Sequence, residues 1–275
     1  MTFRHQVAVI TGAGSGIGAA LAVELAGAGT VVVVSDLDAA AAAATTATIR
    51  ALGREAIAVA LDVTDAEAVA RVAAETVAGH GRIDLWINNA GIAIGGATQD
   101  LALADWRRVL EINLAGVING VYAVYPHMVA RRAGQIVNLA SVAGLAPYPL
   151  ALPYITTKRA VVGLSQALRA EARLHGVRVN VACPGMIVTP IWQRSEVRGA
   201  LAGSRDQLLA RFGPRMSAER CARAIVRGMA ADRGIIPVTL EAHLAWYVER
   251  LSPALAVWIA ERAARLALTG SIRRG

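Results

Sequence analysis

Lysine is almost missing from this chain. Of 28 basic residues among 275, Lys158 alone is lysine. The sequence writes Arg wherever a positive charge suffices, so the exception points to a role that a guanidinium cannot fill. Cysteine is nearly as scarce. Cys183 and Cys221 sit in no CxxC and are too few for a disulfide framework or a metal site, which fits a reducing compartment and no bound metal. Aromatics supply 4% of residues against 55% for all hydrophobic types, so the core must be built from Ala, Val, Leu and Ile, a composition suited to helices on a parallel sheet. No apolar run reaches the roughly 18 residues of a membrane span. Residues 1–6 show no apolar leader segment, and a cytoplasmic location is the expectation.

The net charge of +8 raises nucleic acid or an anionic membrane as partners. The arginines come singly or in pairs such as Arg107-Arg108 and Arg131-Arg132. A nucleic-acid groove needs a clustered stripe with stacking aromatics, so no nucleic-acid partner is expected and the charge is assigned to solvated surface.

Short apolar runs alternate with Ala-rich segments of helical period, the mark of βαβ units. Strands are predicted near Val7–Thr11, Val31–Ser35, Ala56–Leu61, Leu85–Asn88, Gln135–Leu139, Val177–Ala182 and Ile235–Val238. Seven strands with helices between them make one doubly wound α/β domain over residues 1–239, with ligands expected beyond the strand C-termini. The run Ala39–Ala44 is an ordinary helix start capped near Leu37-Asp38. From residue 240 the character changes. Leu240, Leu244, Val248 and Leu251 repeat at helical spacing, Ser252-Pro253 interrupts, and Ala254–Leu268 continues as a second helix.

Three elements carry chemistry. Gly12, Gly14, Gly16 and Gly18, with Ser15 and Ile17, follow a strand and open a helix, so backbone N–H groups can meet a pyrophosphate at the positive helix end. Asp36 closes the second strand, where a carboxylate accepts from an adenosine ribose 2′-hydroxyl; neither Ser15 nor Leu37 offers a cation for a 2′-phosphate, which favours NAD. Tyr154 and Lys158 stand at i and i+4. An ammonium about 4 Å away at an effective dielectric near 20 contributes about 4 kcal/mol, enough to lower a phenol from about 10 toward about 7.

With these come Asp62-Val63 after the third strand, Asn88-Asn89-Ala90-Gly91 after the fourth, Asn113, Ser141 after the fifth, and Pro184-Gly185 through Thr189 after the sixth. In this order the set resembles the short-chain dehydrogenase/reductase family over about residues 6–238. The resemblance implies a Rossmann-like fold and an oxidoreductase passing a hydride between NAD and a carbonyl or secondary alcohol. It implies Tyr154 as acid/base, Ser141 holding the substrate oxygen, Lys158 on the nicotinamide ribose, and Asn113 ordering a relay water. Asp62 and Val63 would flank the adenine, Asn89, Ala90 and Gly91 would contact the cofactor, and Pro184, Gly185, Ile187 and Thr189 would border its carboxamide end. Asn88 has a structural alternative, tying strands together.

The segments expected around the substrate are apolar. Ile92, Ile94, Leu145, Pro147, Tyr148, Leu150 and Leu152 lie near Ser141, with Met186, Ile191 and Trp192 across the cleft, so an apolar alcohol or ketone is the expected substrate. Arg194, Arg198 and Arg205 follow and leave an anionic distal group open. The chain departs from many soluble relatives by lacking the Val-Asp-Gly-Gly type turn after the last strand. Residues 240–275 form a helical extension that could seam a homodimer or homotetramer, roof the pocket or lie on a membrane; core or partner packing is preferred. The rival readings are a non-catalytic NAD-binding regulator, against which the intact Ser141, Tyr154 and Lys158 argue, and a membrane-surface lipid or acyl reductase.

Overall fold

Segments rich in Val, Ile and Ala on both faces need cover on both faces, and a parallel sheet sandwiched by helices supplies it. The computed structural model describes residues 3–204 and 216–272, without the side chains of residues 192, 200, 203, 204 and 269–272. Seven such segments pair in it: β1 (Val7–Thr11), β2 (Val31–Asp36), β3 (Ala56–Ala60), β4 (Leu85–Asn88), β5 (Gly134–Leu139), β6 (Val177–Cys183) and β7 (Ile235–Pro237). Their order is β7-β6-β5-β4-β1-β2-β3, parallel throughout. Each boundary lies within one residue of the sequence expectation.

The helices are α1 (Gly16–Gly27), α2 (Ala39–Ala51), α3 (Ala66–His80), α4 (Leu103–Leu110), α5 (Gly116–Arg131), α6 (Leu152–Leu174), α7 (Ile191–Arg194), α8 (Ala218–Ala230), α9 (Leu240–Leu251) and α10 (Pro253–Ile272). One face of the sheet buries Leu21, Leu25, Ile49, Ile225 and Met229 from α1, α2 and α8. The other buries Val69, Val72, Val124, Met128 and Ala172 from α3, α5 and α6. Asp38 caps α2, accepting from the N–H groups of Ala40 and Ala41 at 3.0 and 3.1 Å, so Asp36 is free for another task.

From β1 the chain builds outward to β2 and β3, then returns to β4 on the other side. The crevice at this switch, above the C-terminal ends of β1 and β4, is where such sheets hold ligands. A wide π-turn, Glu111–Ala115, joins α4 to α5 beside it; such turns cluster at functional sites.

The C-terminal extension packs back onto the domain. Trp246 joins an apolar cluster with Val117, Leu145 and Val161, Glu249 pairs with Arg159 of α6 at 2.8 Å, and α10 runs beside the turn Gly199–Ser204. No helix among the described residues is long and apolar enough to cross a membrane.

Candidate active site

The glycine turn forms an open cradle. Gly12 adopts φ +63°, and a Cβ there would stand 2.7 Å from the Cα of Ala90. Gly16 adopts φ +58°, with a Cβ position 3.2 Å from Thr189. Side chains at either position would close the space between the turn and the loops facing it. Ser15 occupies the N-cap of α1 without a side-chain bond to the first turn, so those N–H groups are left for a ligand. Asn89 Nδ2 donates to the carbonyls of Thr11 and Gly12, both at 2.9 Å, fixing the turn from the β4 side. Asp36 is held by the N–H groups of Gly14 at 2.9 Å and Asp38 at 3.0 Å.

The cradle opens into a cleft of about 1120 Å³. Asp36, Asp38 and Asp62 line one end, with no cation beside them among the described residues, while Arg108 and Arg194 come from α4 and α7. Ser141, Tyr154 and Lys158 share the wall with Val142, Ala143 and Ile155. The Ser141 hydroxyl stands beside the Tyr154 phenol, where it favours the ionised form, and accepts from the Ala143 N–H at 3.2 Å. Lys158 lies buried beneath them, 5.5 Å from the centre of the Tyr154 ring, and donates to the Leu139 carbonyl at 2.8 Å.

Electrostatics here correct the sequence arithmetic. Burial holds the Tyr154 phenol above its ordinary 10, opposed by the neighbouring Ser141 hydroxyl. Burial also pushes Lys158 from 10.5 down to about 8, opposed by Cys183. The expected fall of the phenol toward neutrality is absent because taking both groups out of water outweighs their mutual attraction. Cys183, beneath Lys158, is pushed up to about 12 by burial and is inert as a nucleophile.

Most of the expected site residues meet at this cleft: Gly12, Ser15, Gly16, Ile17, Asp36, Asp62, Val63, Asn89, Ala90, Gly91, Tyr148, Pro184, Gly185, Met186, Ile187 and Thr189, together with Ser141, Tyr154 and Lys158. Three do not line it. Gly18 lies under the turn, where a Cβ would meet the Gly12 carbonyl at 2.3 Å; its role is close packing of α1. Leu145 is buried in the Trp246 cluster, because its short turn directs it into the core. Asn113, in the π-turn, is fully buried; its amide accepts from Ile92 N–H at 2.8 Å, donates to Ile92 O at 2.9 Å and donates to Thr157 Oγ1 at 3.3 Å. It braces the loop after Gly91 from behind. Of the further apolar positions, Ile92 and Ile191 reach the cleft, whereas Ile94, Pro147, Leu150 and Leu152 are not in its wall. The Trp192 side chain and Arg205 lie outside the described residues.

Asn88 takes its structural alternative. It accepts from the Trp86 indole at 2.8 Å and donates to Asn138 at 2.8 Å, which donates to Ser165 at 2.9 Å. Arg198 is committed to Asp105 and Glu196 at 2.7 and 2.6 Å, and Arg108 to Glu196 at 2.6 Å. These pairs hold the chain after α7 against α4.

Sequence reasoning missed Arg108, Glu111, Ile112 and Ile155 in the wall. It also missed Glu241 of α9, whose Oε1 accepts from the Met186 N–H at 3.2 Å. No local motif marks these residues, since long-range packing of helices brings them in.

Residues 6–198 match the family model described as short chain dehydrogenase. The chain belongs to the short-chain dehydrogenase family. Among its relatives, SadH of Mycobacterium tuberculosis, described as an oxidoreductase, is 38% identical over 247 residues, 88% of either chain. EphD of the same organism, also described as an oxidoreductase, is 37% identical over 219 residues, 75% of this chain; the match takes in only 36% of EphD. A short-chain dehydrogenase from Burkholderia phymatum, solved in complex with NAD, is 33% identical with a TM-score of 0.84, covering 93% of this chain and 96% of that one. One from Mycobacterium paratuberculosis, bound to NAD, is 28% identical with a TM-score of 0.76, covering 86% and 97%.

Proposed function

We propose that this short-chain dehydrogenase transfers a hydride between NAD and the carbonyl or secondary alcohol of an apolar substrate, with Tyr154 as acid/base. The observation that carries this reading is the meeting of Ser141, Tyr154 and Lys158, the lysine 5.5 Å from the centre of the Tyr154 ring, in the cleft that also holds the glycine cradle. The residues present fit a dinucleotide: two positive-φ glycines clear the space, an uncapped helix start faces it, and Asp36 stands ready for a ribose hydroxyl. The acid cluster Asp36, Asp38 and Asp62, without a compensating cation among the described residues, favours NAD over its 2′-phosphorylated form.

A bound nicotinamide supplies or accepts the hydride. Ser141 orients the substrate oxygen, and Tyr154 gives it a proton during reduction or takes one during oxidation. Because burial keeps the phenol protonated at neutral pH, reduction runs from the resting state, and oxidation must accelerate as pH rises. Lys158 holds positive charge beneath the phenol below about 8 and binds ribose hydroxyls by its compact ammonium. Asn113 acts by bracing Ile92, and its part in a proton relay belongs to the same proposal. Ile92, Ile112, Val142, Ala143, Met186 and Ile191 make the substrate end apolar, where a small buried carboxylate would be costly.

The test is a panel of secondary alcohols and ketones with NAD(H) and NADP(H), followed at the nicotinamide absorbance. Turnover with apolar members is expected. Tyr154→Phe is expected to lose it by at least about 10²–10⁴-fold while keeping NAD affinity. Undiminished turnover in that variant would overturn the assignment.

A further inference from the structure

The extension wears its large apolar side chains on the outside. On α9, Leu240, Leu244, Tyr247 and Leu251 are 74%, 58%, 55% and 83% exposed, while only Ala242 is fully buried. On α10, Ala256 is the one buried residue among those described, whereas Leu255, Trp258 and Ile259 are about half exposed and Leu266 more so. A surface helix ordinarily turns such residues inward. The sequence stripe, read through Val248 for its period, thus runs along the free side of α9, with Tyr247 in it and Val248 half-buried.

We infer that this stripe pairs α9 with α9 of a second copy of the chain, antiparallel about a two-fold axis. The first argument is spacing. The exposed positions follow intervals of four, three and four, the narrow seam that inserts knobs into holes of a facing helix. These intervals are the same in both directions, so a two-fold axis between positions 245 and 246 sets Leu240 against Leu251 of the other copy and Leu244 against its Tyr247. Such a contact is self-complementary and closed.

The second argument is charge. A helix lying on an anionic bilayer needs a broad apolar face flanked by Lys and Arg. On α9 there are two glutamates, Glu241 and Glu249, to one arginine, Arg250. Arg250 stacks on Trp246, 5.3 Å from its ring centre. A mixed-sign flank suits a second copy of itself. The third argument is size. Four side chains fall short of the roughly 800 Å² per partner of a stable interface, and Leu255, Trp258 and Ile259 of α10 supply further apolar surface next to them in sequence.

The experiment uses the full chain. Sedimentation velocity at micromolar concentration is expected to give a dimer or a higher even assembly, and Leu244→Ser with Leu251→Ser to lower it by one association step at unchanged thermal stability. Two single variants, Leu244→Cys and Tyr247→Cys, then test the register, since the native Cys183 and Cys221 are buried. Under mild oxidation, a mixture of the two is expected to give a cross-linked pair in preference to either alone. An unchanged assembly in the double serine variant overturns the inference. A cross-link between like cysteines with none in the mixture overturns it too. So does a monomer that floats with vesicles of phosphatidylcholine and phosphatidylglycerol and loses that binding in the serine variant.

Discussion

The two ends of the cleft are built by different means. At the adenosine end, β1, β2 and β3 deliver Gly12, Asp36 and Asp62 within a residue or two of their strand ends, with Gly16 five residues after β1, and the left-handed positions 12 and 16 are both glycines. At the substrate end, the wall is gathered from α4, the π-turn, the loop before α6 and α7, with Glu241 of the extension holding Met186 from behind. There a leucine, Leu150, takes φ +70°. One end follows from local backbone geometry, the other from tertiary packing. Ligand recognition common to many substrates can reside in the first, and individual specificity in the second.

The residues between the two ends should produce the largest effect. Lys158→Arg is expected to lower kcat/KM on the order of 100-fold or more, because a planar fork cannot replace a compact ammonium between phenol and ribose. Steady-state kinetics with NAD would decide, and near-normal kcat with an unaltered pH profile would leave the lone lysine an accident of composition. The same residue strains the fold without cofactor. Its folded value of about 8 lies below the ordinary 10.5, so the unfolded chain binds the extra proton between these values. Stability should therefore rise with pH from about 8 to 10.5 and stay at its lower level beneath 8. Lys158→Met should remove that slope and raise the unfolding free energy at pH 7, by at most roughly 3 kcal/mol, with a higher thermal midpoint, while abolishing turnover.

Next in size is cofactor choice, confined to the adenosine end. Asp36→Ala with Leu37→Arg removes the carboxylate that Gly14 and Asp38 hold in place and supplies a cation beside it. A charged hydrogen bond contributes about 1.5–3 kcal/mol, so the ratio of kcat/KM for NAD over NADP should fall by about 10- to 100-fold. An unmodified enzyme that prefers NADPH would break the comparison at its more legible end.

The contrast also explains what could be read beforehand. Seven strands were legible because each is a continuous apolar run bounded by turn residues, and the glycine turn, Asp36, Ser141, Tyr154 and Lys158 because their chemistry depends on short spacings. Leu145 was placed in the pocket on apolarity alone, which does not separate a wall from the core behind it. Arg108 and Glu241 were invisible for the converse reason: 88 residues separate Arg108 from its partner Glu196, and 55 separate Glu241 from Met186. The phenol shift failed because a pairwise Coulomb sum omits the cost of burying both groups.

Glu241 offers a smaller, sharper probe of the substrate end. Glu241→Ala frees the Met186 N–H, a loss of about 0.5–1.5 kcal/mol, and should raise the substrate KM by up to about 10-fold with kcat and NAD affinity little changed. Glu241→Gln keeps an acceptor oxygen and should restore most of it. Equal losses in both variants would mean that the charge matters, through its effect on neighbouring Tyr148, rather than the loop contact.

The smallest effect is expected at Leu150, and it bears most directly on the contrast between the two ends. A side chain in the left-handed region costs about 1–2 kcal/mol, which the loop sustains because the Leu150 carbonyl accepts from the Gly96 N–H at 2.8 Å and so ties the entry of α6 to the segment after β4. Leu150→Gly relieves that strain but adds about 0.5–1 kcal/mol of backbone entropy to the unfolded chain, and it removes a half-buried leucine. These contributions oppose one another, so the thermal midpoint should move by no more than a few degrees. Leu150→Val, branched at Cβ, keeps the side chain and worsens the strain, and should destabilise more than glycine does. If the order were reversed, with glycine the more harmful, Leu150 would be held by side-chain packing, and the substrate end would store less backbone strain than its φ implies.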